Sequence, residues 1–207
     1  MIPLLLTLTA AVLVTLLELR WPGRREKPQR LINLVVWAAG FALAILLLPT
    51  VSLGVTGLAH RFGVASLGVA AWPLWLGLPV FFLAMDFGEY AFHRAQHAIP
   101  WLWKMHSLHH SDPCMSATTT QRHWVGDQFL KAVTIWPAVI LALGPSPVMT
   151  TAWVVVAIYH FFVHANLKVN YGRFSVLLNN PAYHRIHHAR APEHYDTNFA
   201  SLFPTTT

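Results

Sequence analysis

Ten of the thirteen histidines of this chain fall into four short clusters: HRAQH (His93, His97), HSLHH (His106, His109, His110), HFFVH (His160, His164) and HRIHH (His184, His187, His188). On a helix, spacings of three or four residues bring side chains to one face, so each cluster offers two or three imidazoles pointing the same way. Neutral imidazole is a ligand for zinc, copper, iron and nickel, and ten rings are too many for one ion. The pattern predicts a two-metal site. At this histidine content roughly 0.05 HxxHH matches are expected by chance, and the chain has two. HxxxH alone, at roughly 0.8 expected matches, carries little weight. Satisfied core histidines, or a nonspecific metal-binding surface, are the plain alternatives; neither requires aligned triplets.

A metal-bound histidine usually donates its second ring N–H to a neighbouring acceptor. Few acceptors lie near the clusters: Asp86, Glu89 and Asp112 beside them, and Asn166 after the third. Asp86 precedes His93 by seven residues and His97 by eleven, which places it on their helical face. A carboxylate near lipid is costly unless paired, so Asp86 is expected to brace the site or the fold rather than to bind metal. Glu89, four residues before His93, is expected to do the same or to end the helix in solvent. Several chemistries are excluded. The chain has no HExxH for a zinc metalloprotease and no Glu-x-x-His pair for a soluble carboxylate di-iron bundle. It has neither a GxSxG elbow nor a glycine-rich phosphate loop. What remains is an all-histidine dinuclear centre. Beside lipid, a redox metal that activates dioxygen suits attack on inert C–H bonds. The spacing specifies metal binding, not which metal.

The elements that must position these residues are apolar. The chain is 55% hydrophobic and 11% charged, with a mean hydropathy of +0.47, too apolar for a soluble domain of 207 residues. Its length suits one unit. Cys114 is the single cysteine, which excludes an internal disulfide and every cysteine-based zinc or redox motif; it reads as a free thiol. The net charge of +6 is no nucleic-acid signal, because the basic residues sit in short loops between apolar spans.

Apolar spans run over residues 2–19, 31–48 (ending at Pro49) and 71–90, the last with Trp72 and Trp75 as interface anchors. Two more, 129–143 and 148–162, are separated by GPSP, which predicts an antiparallel helical hairpin. The first span lacks the positive n-region and cleavage site of a signal peptide, and reads as a retained helix. Residues 20–30 (RWPGRREKPQR) form a loop broken by Pro22, Gly23 and Pro28. Residues 50–70 are expected to be a loop or interfacial segment without chemistry, carrying His60 alone. With the 20–30 loop in the cytoplasm, only Arg61 of the fourteen Lys and Arg residues falls on the far side. The N-terminus is then outside, the C-terminus inside, and all four clusters share the cytoplasmic face. The predicted fold is an all-α integral membrane protein of about four to five apolar helices. Three spans and a helical hairpin carry a cytoplasmic histidine-rich helical cap.

The segments DFGEYAFHRAQH, WKMHSLHHSDP, HFFVHANL and PAYHRIHHARAPEHYDTNF, in that order, resemble the membrane fatty acid hydroxylase and sterol desaturase family. The likeness covers roughly residues 80–200, and more loosely the two N-terminal spans with Asn33 and Leu34. It implies one membrane-embedded domain over 1–207, with N-terminal spans and loop in 1–70 and a histidine-box catalytic core in 71–207. The implied activity is that of an oxygenase or desaturase holding two iron ions, using O2 as co-substrate and acting on a membrane lipid. The family's ligand positions match His93, His97, His106, His109, His110, His160, His164, His184, His187 and His188. Asp86, Tyr90 and Arg94 match the surrounding pattern, Asn166 the asparagine after the third box, and Asn198 that of the closing motif.

The chain departs from the family in two places. It reads DPCMSATTTQRHWVGDQ where many members have Asp-Pro-Asp-Met-Asp and then an Arg-x-His-Pro-x-Glu element. Arg122 and His123 fill that place, with Asp127 for the glutamate and no proline. His123 is expected to support a ligand or to be an extra one. The tail reads SLFPTTT where many members continue through a tryptophan-containing segment, which leaves a less closed cap or an incomplete chain as alternatives. His194 is expected at the surface. No haem-binding HPGG, cysteine cluster or dinucleotide fingerprint occurs, so electrons are expected from a separate reductase, ferredoxin or cytochrome.

Hydrogen abstraction from lipid would lead to an alcohol, or after a second abstraction to an alkene. Sterols, acyl chains, sphingoid bases, ether lipids and carotenoids all suit an apolar pocket. The alternative function is a divalent metal transporter or metal-binding membrane protein. Transporters set ligands near mid-membrane and use Asp, Glu and broken helices, whereas these clusters gather at one side. A structural membrane protein with a degenerate site is a third reading. The absence of a luminal retention tail favours a bacterial inner membrane over the endoplasmic reticulum, and the sequence specifies no oligomeric state.

Overall fold

The structure, a computed structural model, describes residues 2–144, 147–189, 191–194, 196–199 and 201–204. Its helices are α1 (Ile2–Arg20), α2 (Arg30–Arg61), α3 (Leu74–Ala98), α4 (Pro100–His110), α5 (Val125–Val133), α6 (Ile135–Leu143), α7 (Pro147–Val163) and α8 (Pro181–His187). No strand occurs among the described residues. Among the described residues, three segments are long and apolar enough to cross a membrane: α1, α3, and α5 with α6 taken together as Val125–Leu143. Val148–Val163 is a shorter apolar helix. Leu5, Leu16, Leu19, Val12 and Leu13 of α1 are all exposed, as suits a helix whose solvent is lipid.

α3 is the central post. It packs against both α6 and α7, where Phe81, Met85, Val139, Leu143 and Ala152 form a buried apolar cluster. α1 lies on α7 through Val14, Phe161 and Ala165. Histidines sit at the C-terminal ends of α3 (His93, His97) and α7 (His160, with His164 just beyond it), and along α4 and α8.

Two boundaries differ from the sequence reading. Helix α2 does not stop at Pro49 but runs through it to Arg61, so the expected loop over 50–70 is helical for its first half. One face of this stretch packs on α5 and α6, where its buried hydroxyls find main-chain acceptors: Ser52 Oγ donates to the carbonyl of Ala132 (2.8 Å) and Thr56 Oγ1 to that of Ser52 (2.8 Å). The stretch predicted as one helix over 129–143 begins at Val125 and breaks at Thr134 (φ −122°, ψ −76°). Pro137, three residues on, has no N–H for the carbonyl four residues before it, and the helical ladder parts there. Both arms of the predicted hairpin are helical; its turn residues 145 and 146 lie outside the described residues.

The 20–30 loop is pinned under the core. A Cβ on Gly23 would come within 2.8 Å of the Leu167 backbone, so only glycine permits this approach. Gly23 N–H donates to the carbonyl of Asn166 (2.7 Å).

Candidate metal centre

Four local devices aim the histidines. The last turns of α3 carry His93 and His97. Ile99 is extended and Pro100 opens α4, so the chain turns back at once and presents His106, His109 and His110 to α3. His164 follows the last residue of α7. The side chain of Asn180 caps α8 by accepting the N–H groups of Ala182 and Tyr183 (both 3.1 Å), with Pro181 at the first helical position; this sets His184, His187 and His188.

Nine of the ten expected ligands fall into two groups whose donor atoms lie within 4.8 Å of one another. His93, His97, His106, His110 and His187 form the first; His109, His164, His184 and His188 form the second. The groups adjoin, since His110 stacks on His188 with ring centroids 4.4 Å apart. Within them Nε2 atoms face each other: His187 and His93 at 3.0 Å, His184 and His164 at 3.0 Å, His164 and His109 at 3.1 Å, His97 and His110 at 3.2 Å. Metal–nitrogen bonds of about 2.1 Å at right angles place neighbouring ligand atoms about 3.0 Å apart. The buried Nε2 atoms of His106 and His188 have no hydrogen-bond partner. The donor set therefore fits one ion in each group.

Burial keeps these rings neutral, the form that binds metal. His164 and His187 are pushed down from an ordinary 6.5 to about 3, burial being the first cause. His106, His109, His110, His184 and His188 are held well below their ordinary range by burial and then by one another.

The acceptors that orient the rings come from an unexpected place. In the C-terminal segment, the carbonyl of Phe199 meets His93 Nδ1 (2.8 Å), that of Thr197 meets His187 Nδ1 (2.7 Å), and the Asp196 carboxylate meets His97 Nδ1 (3.2 Å). Asp86 holds this segment. Its Oδ1 accepts the N–H groups of Ser201 (3.1 Å) and Leu202 (2.7 Å), and its Oδ2 that of Phe203 (3.2 Å). Asp86 thus reaches the histidines only through the main chain. Asp196 and Asn198 adopt positive φ (57° and 62°) to carry the segment past the cluster, and Asn198 is tied to the carbonyl of Tyr183 (3.0 Å). Asn166 bonds through its side chain to both the N–H and the carbonyl of Arg24 (3.0 Å each), bracing the 20–30 loop rather than an imidazole.

The remaining candidates sort as follows. His160 joins neither group; it lies one helical turn before His164, in the field of Glu89 and Lys131. His123 stacks on His109 (centroids 4.4 Å, 11° between planes) and faces Asp127. Glu89 is paired with Lys131 (2.6 Å). Asp112 accepts from Asn33 (2.7 Å) and Thr119 (2.7 Å), and Arg122 donates to Leu108, Gln29, Asn33 and Ser111, so both brace the cap. Arg94 donates to the Tyr90 hydroxyl (2.6 Å). His194 closes a short 3-10 turn away from both groups. Glu18 was not singled out by sequence. It is buried and accepts the N–H groups of Ala117 and Asn166 (2.6 Å each) and Arg30 (3.2 Å). An apolar span followed by arginines gives no sign of that. A cavity of about 430 Å3 opens onto the first group between Trp103, Ser107, His110 and His188.

Among proteins of known activity, the chain is similar to the alkylglycerol monooxygenase of Danio rerio, at 34% identity over 133 residues, 64% of this chain and 28% of that protein. The Homo sapiens alkylglycerol monooxygenase is 33% identical over 124 residues, 58% of this chain and 27% of that protein. The ornithine lipid hydroxylase OlsE of Rhizobium tropici is 29% identical over 129 residues, 62% of this chain and 39% of that protein. The matches thus span well under half the length of these relatives. No solved structure matches the chain. The fatty acid hydroxylase family model matches residues 78–206, the region that holds every histidine of both groups. With its clusters met by that match over more than half of its length, the chain belongs to the fatty acid hydroxylase family.

Proposed function

We propose that this protein is an O2-dependent hydroxylase of a polar-headed membrane lipid, holding two iron ions and taking electrons from a separate redox protein. The observation that carries the reading is the pair of adjoining, buried, all-histidine groups with Nε2 atoms 3.0–3.2 Å apart. Bound iron supplies the capacity to reduce dioxygen and to take hydrogen from an unactivated C–H bond. The family match and the names of the relatives, a monooxygenase and a hydroxylase, favour an alcohol product over an alkene.

The chain's own residues do the positioning. His93, His97, His106, His110 and His187 would hold one ion, and His109, His164, His184 and His188 the other. The carbonyls of Phe199, Thr197 and His160 fix which nitrogen of His93, His187 and His164 faces inward. Rings kept neutral by burial compete little with protons for metal at neutral pH. In this reading the site faces the cytoplasmic leaflet of a bacterial inner membrane, within reach of a soluble donor; the basic 20–30 loop, hydrogen-bonded to Asn166 two residues after His164, supports that side. Fixed rings braced by main-chain acceptors support a resident centre over a transported cargo.

The test is the lipid extract and the metal content together. Cells making the protein are expected to accumulate a lipid one oxygen heavier, and purified protein to hold close to two irons per chain. His109→Ala and His187→Ala, one from each group, should each lose iron and product while the protein still inserts in membranes. Turnover surviving either change would overturn the assignment.

A further inference from the structure

Beside the two groups lies a third set of donors, His106, His123 and Asp127, again with donor atoms within 4.8 Å of one another. Asp127 is fully buried at the start of α5, and neither carboxylate oxygen accepts a hydrogen bond. An unpaired carboxylate at the edge of a membrane-crossing segment is strongly unfavourable. The cations nearby in sequence are committed elsewhere: Lys131, one turn on, to Glu89 (2.6 Å), and Arg122 to Gln29, Asn33, Ser111 and Leu108. What faces Asp127 is His123, with Nδ1 3.5 Å from Oδ2, a distance beyond a good hydrogen bond. His106, 2% exposed, has no partner on either ring nitrogen. Gly126, beside Asp127, faces the Met105 side chain, with Sδ 2.8 Å from where a Cβ would lie, so α5 meets α4 next to His106.

We propose that His106, His123 and Asp127 form a third metal position, for a divalent transition ion of the ferrous type, in which His106 is shared with the first group. Two imidazoles and one carboxylate are a donor set suited to ferrous iron, with coordination positions left open. The first group without His106 still has four histidines, the same number as the second. His106 can therefore serve the third position without emptying the first. The carboxylate distinguishes this position from the all-histidine pair and supplies the charge that the buried ion requires.

The test counts metal on the full chain. Metal-free protein in detergent micelles is titrated with Co2+ and bound cobalt is counted after desalting. Asp127→Asn keeps the side-chain shape, and both it and His123→Ala are expected to bind one equivalent fewer than the wild type, with the thermal midpoint of metal-free Asp127→Asn at or above that of the metal-free wild type. The wild-type cobalt spectrum should change on either substitution, since an oxygen ligand is lost or its partner removed. His194→Ala, remote from the groups, should retain the wild-type count. Equal stoichiometry in wild type, Asp127→Asn and His123→Ala would overturn the proposal. A wild type that binds a single equivalent, removed by Asp127→Asn, would support the third position while overturning the two-ion reading of the histidine groups.

Discussion

A carboxylate that accepts three backbone N–H groups is an anchor for chain, and Asp86 anchors the segment whose carbonyls orient His93 and His187. Asp86→Asn preserves the volume but turns one acceptor into a donor that faces a backbone N–H. The expected outcome is iron held roughly tenfold more weakly, as for other losses of support behind a ligand, with helix content unchanged, measured by competition with a chelator. Unchanged affinity would reduce Asp86 to packing. At this scale the grouping of the histidines was legible in the sequence because histidines three and four apart on a helix must share a face. Their acceptors were not legible: Thr197 and Phe199 act through main-chain carbonyls, which every residue carries. His160 shows the limit of periodicity. A spacing of four aligns it with His164 but sets it about 6 Å lower along the axis, and it misses the group that His164 joins.

Among elements, the seam between α1, the 116–121 turn and the segment after α7 turns on Glu18. One oxygen accepts Ala117 and Asn166 N–H, the other Arg30. Glu18→Gln loses the ion pair and the charge that strengthens both N–H bonds, and is expected to destabilise the folded protein by about 2 kcal/mol. Glu18→Ala, which leaves two buried N–H groups without an acceptor, should cost more. Thermal unfolding in micelles checks both, and equal midpoints for Gln and wild type would show that Arg30 and the charge contribute nothing. The helices themselves were readable from apolar runs, their ends less so. Pro49 looks like a stop, yet packing on α5 and α6 carries α2 through it. Pro137 marks a break, but three residues before itself.

For the whole molecule, the gathered imidazoles make folding pH-dependent. The unfolded chain takes up protons as pH falls through 6.5, while His164 and His187 in the fold resist until about 3. Between those values the unfolded state binds more protons, so stability falls with acidification. The metal-free protein is expected to keep a level thermal midpoint above pH 7 and to lose it steadily below about 6.5, with bound metal opposing the loss. A midpoint flat from pH 7 to pH 5 would contradict the burial of these rings. The C-terminal segment also fastens to α3 at two heights, at Asp86 and, roughly two turns on, at His93. A strap tied twice to one post leans with it, so the upper knot keeps its angle. Tilt of α3 in bilayers of different thickness is thereby kept from disturbing the ring that the carbonyl of Phe199 aims.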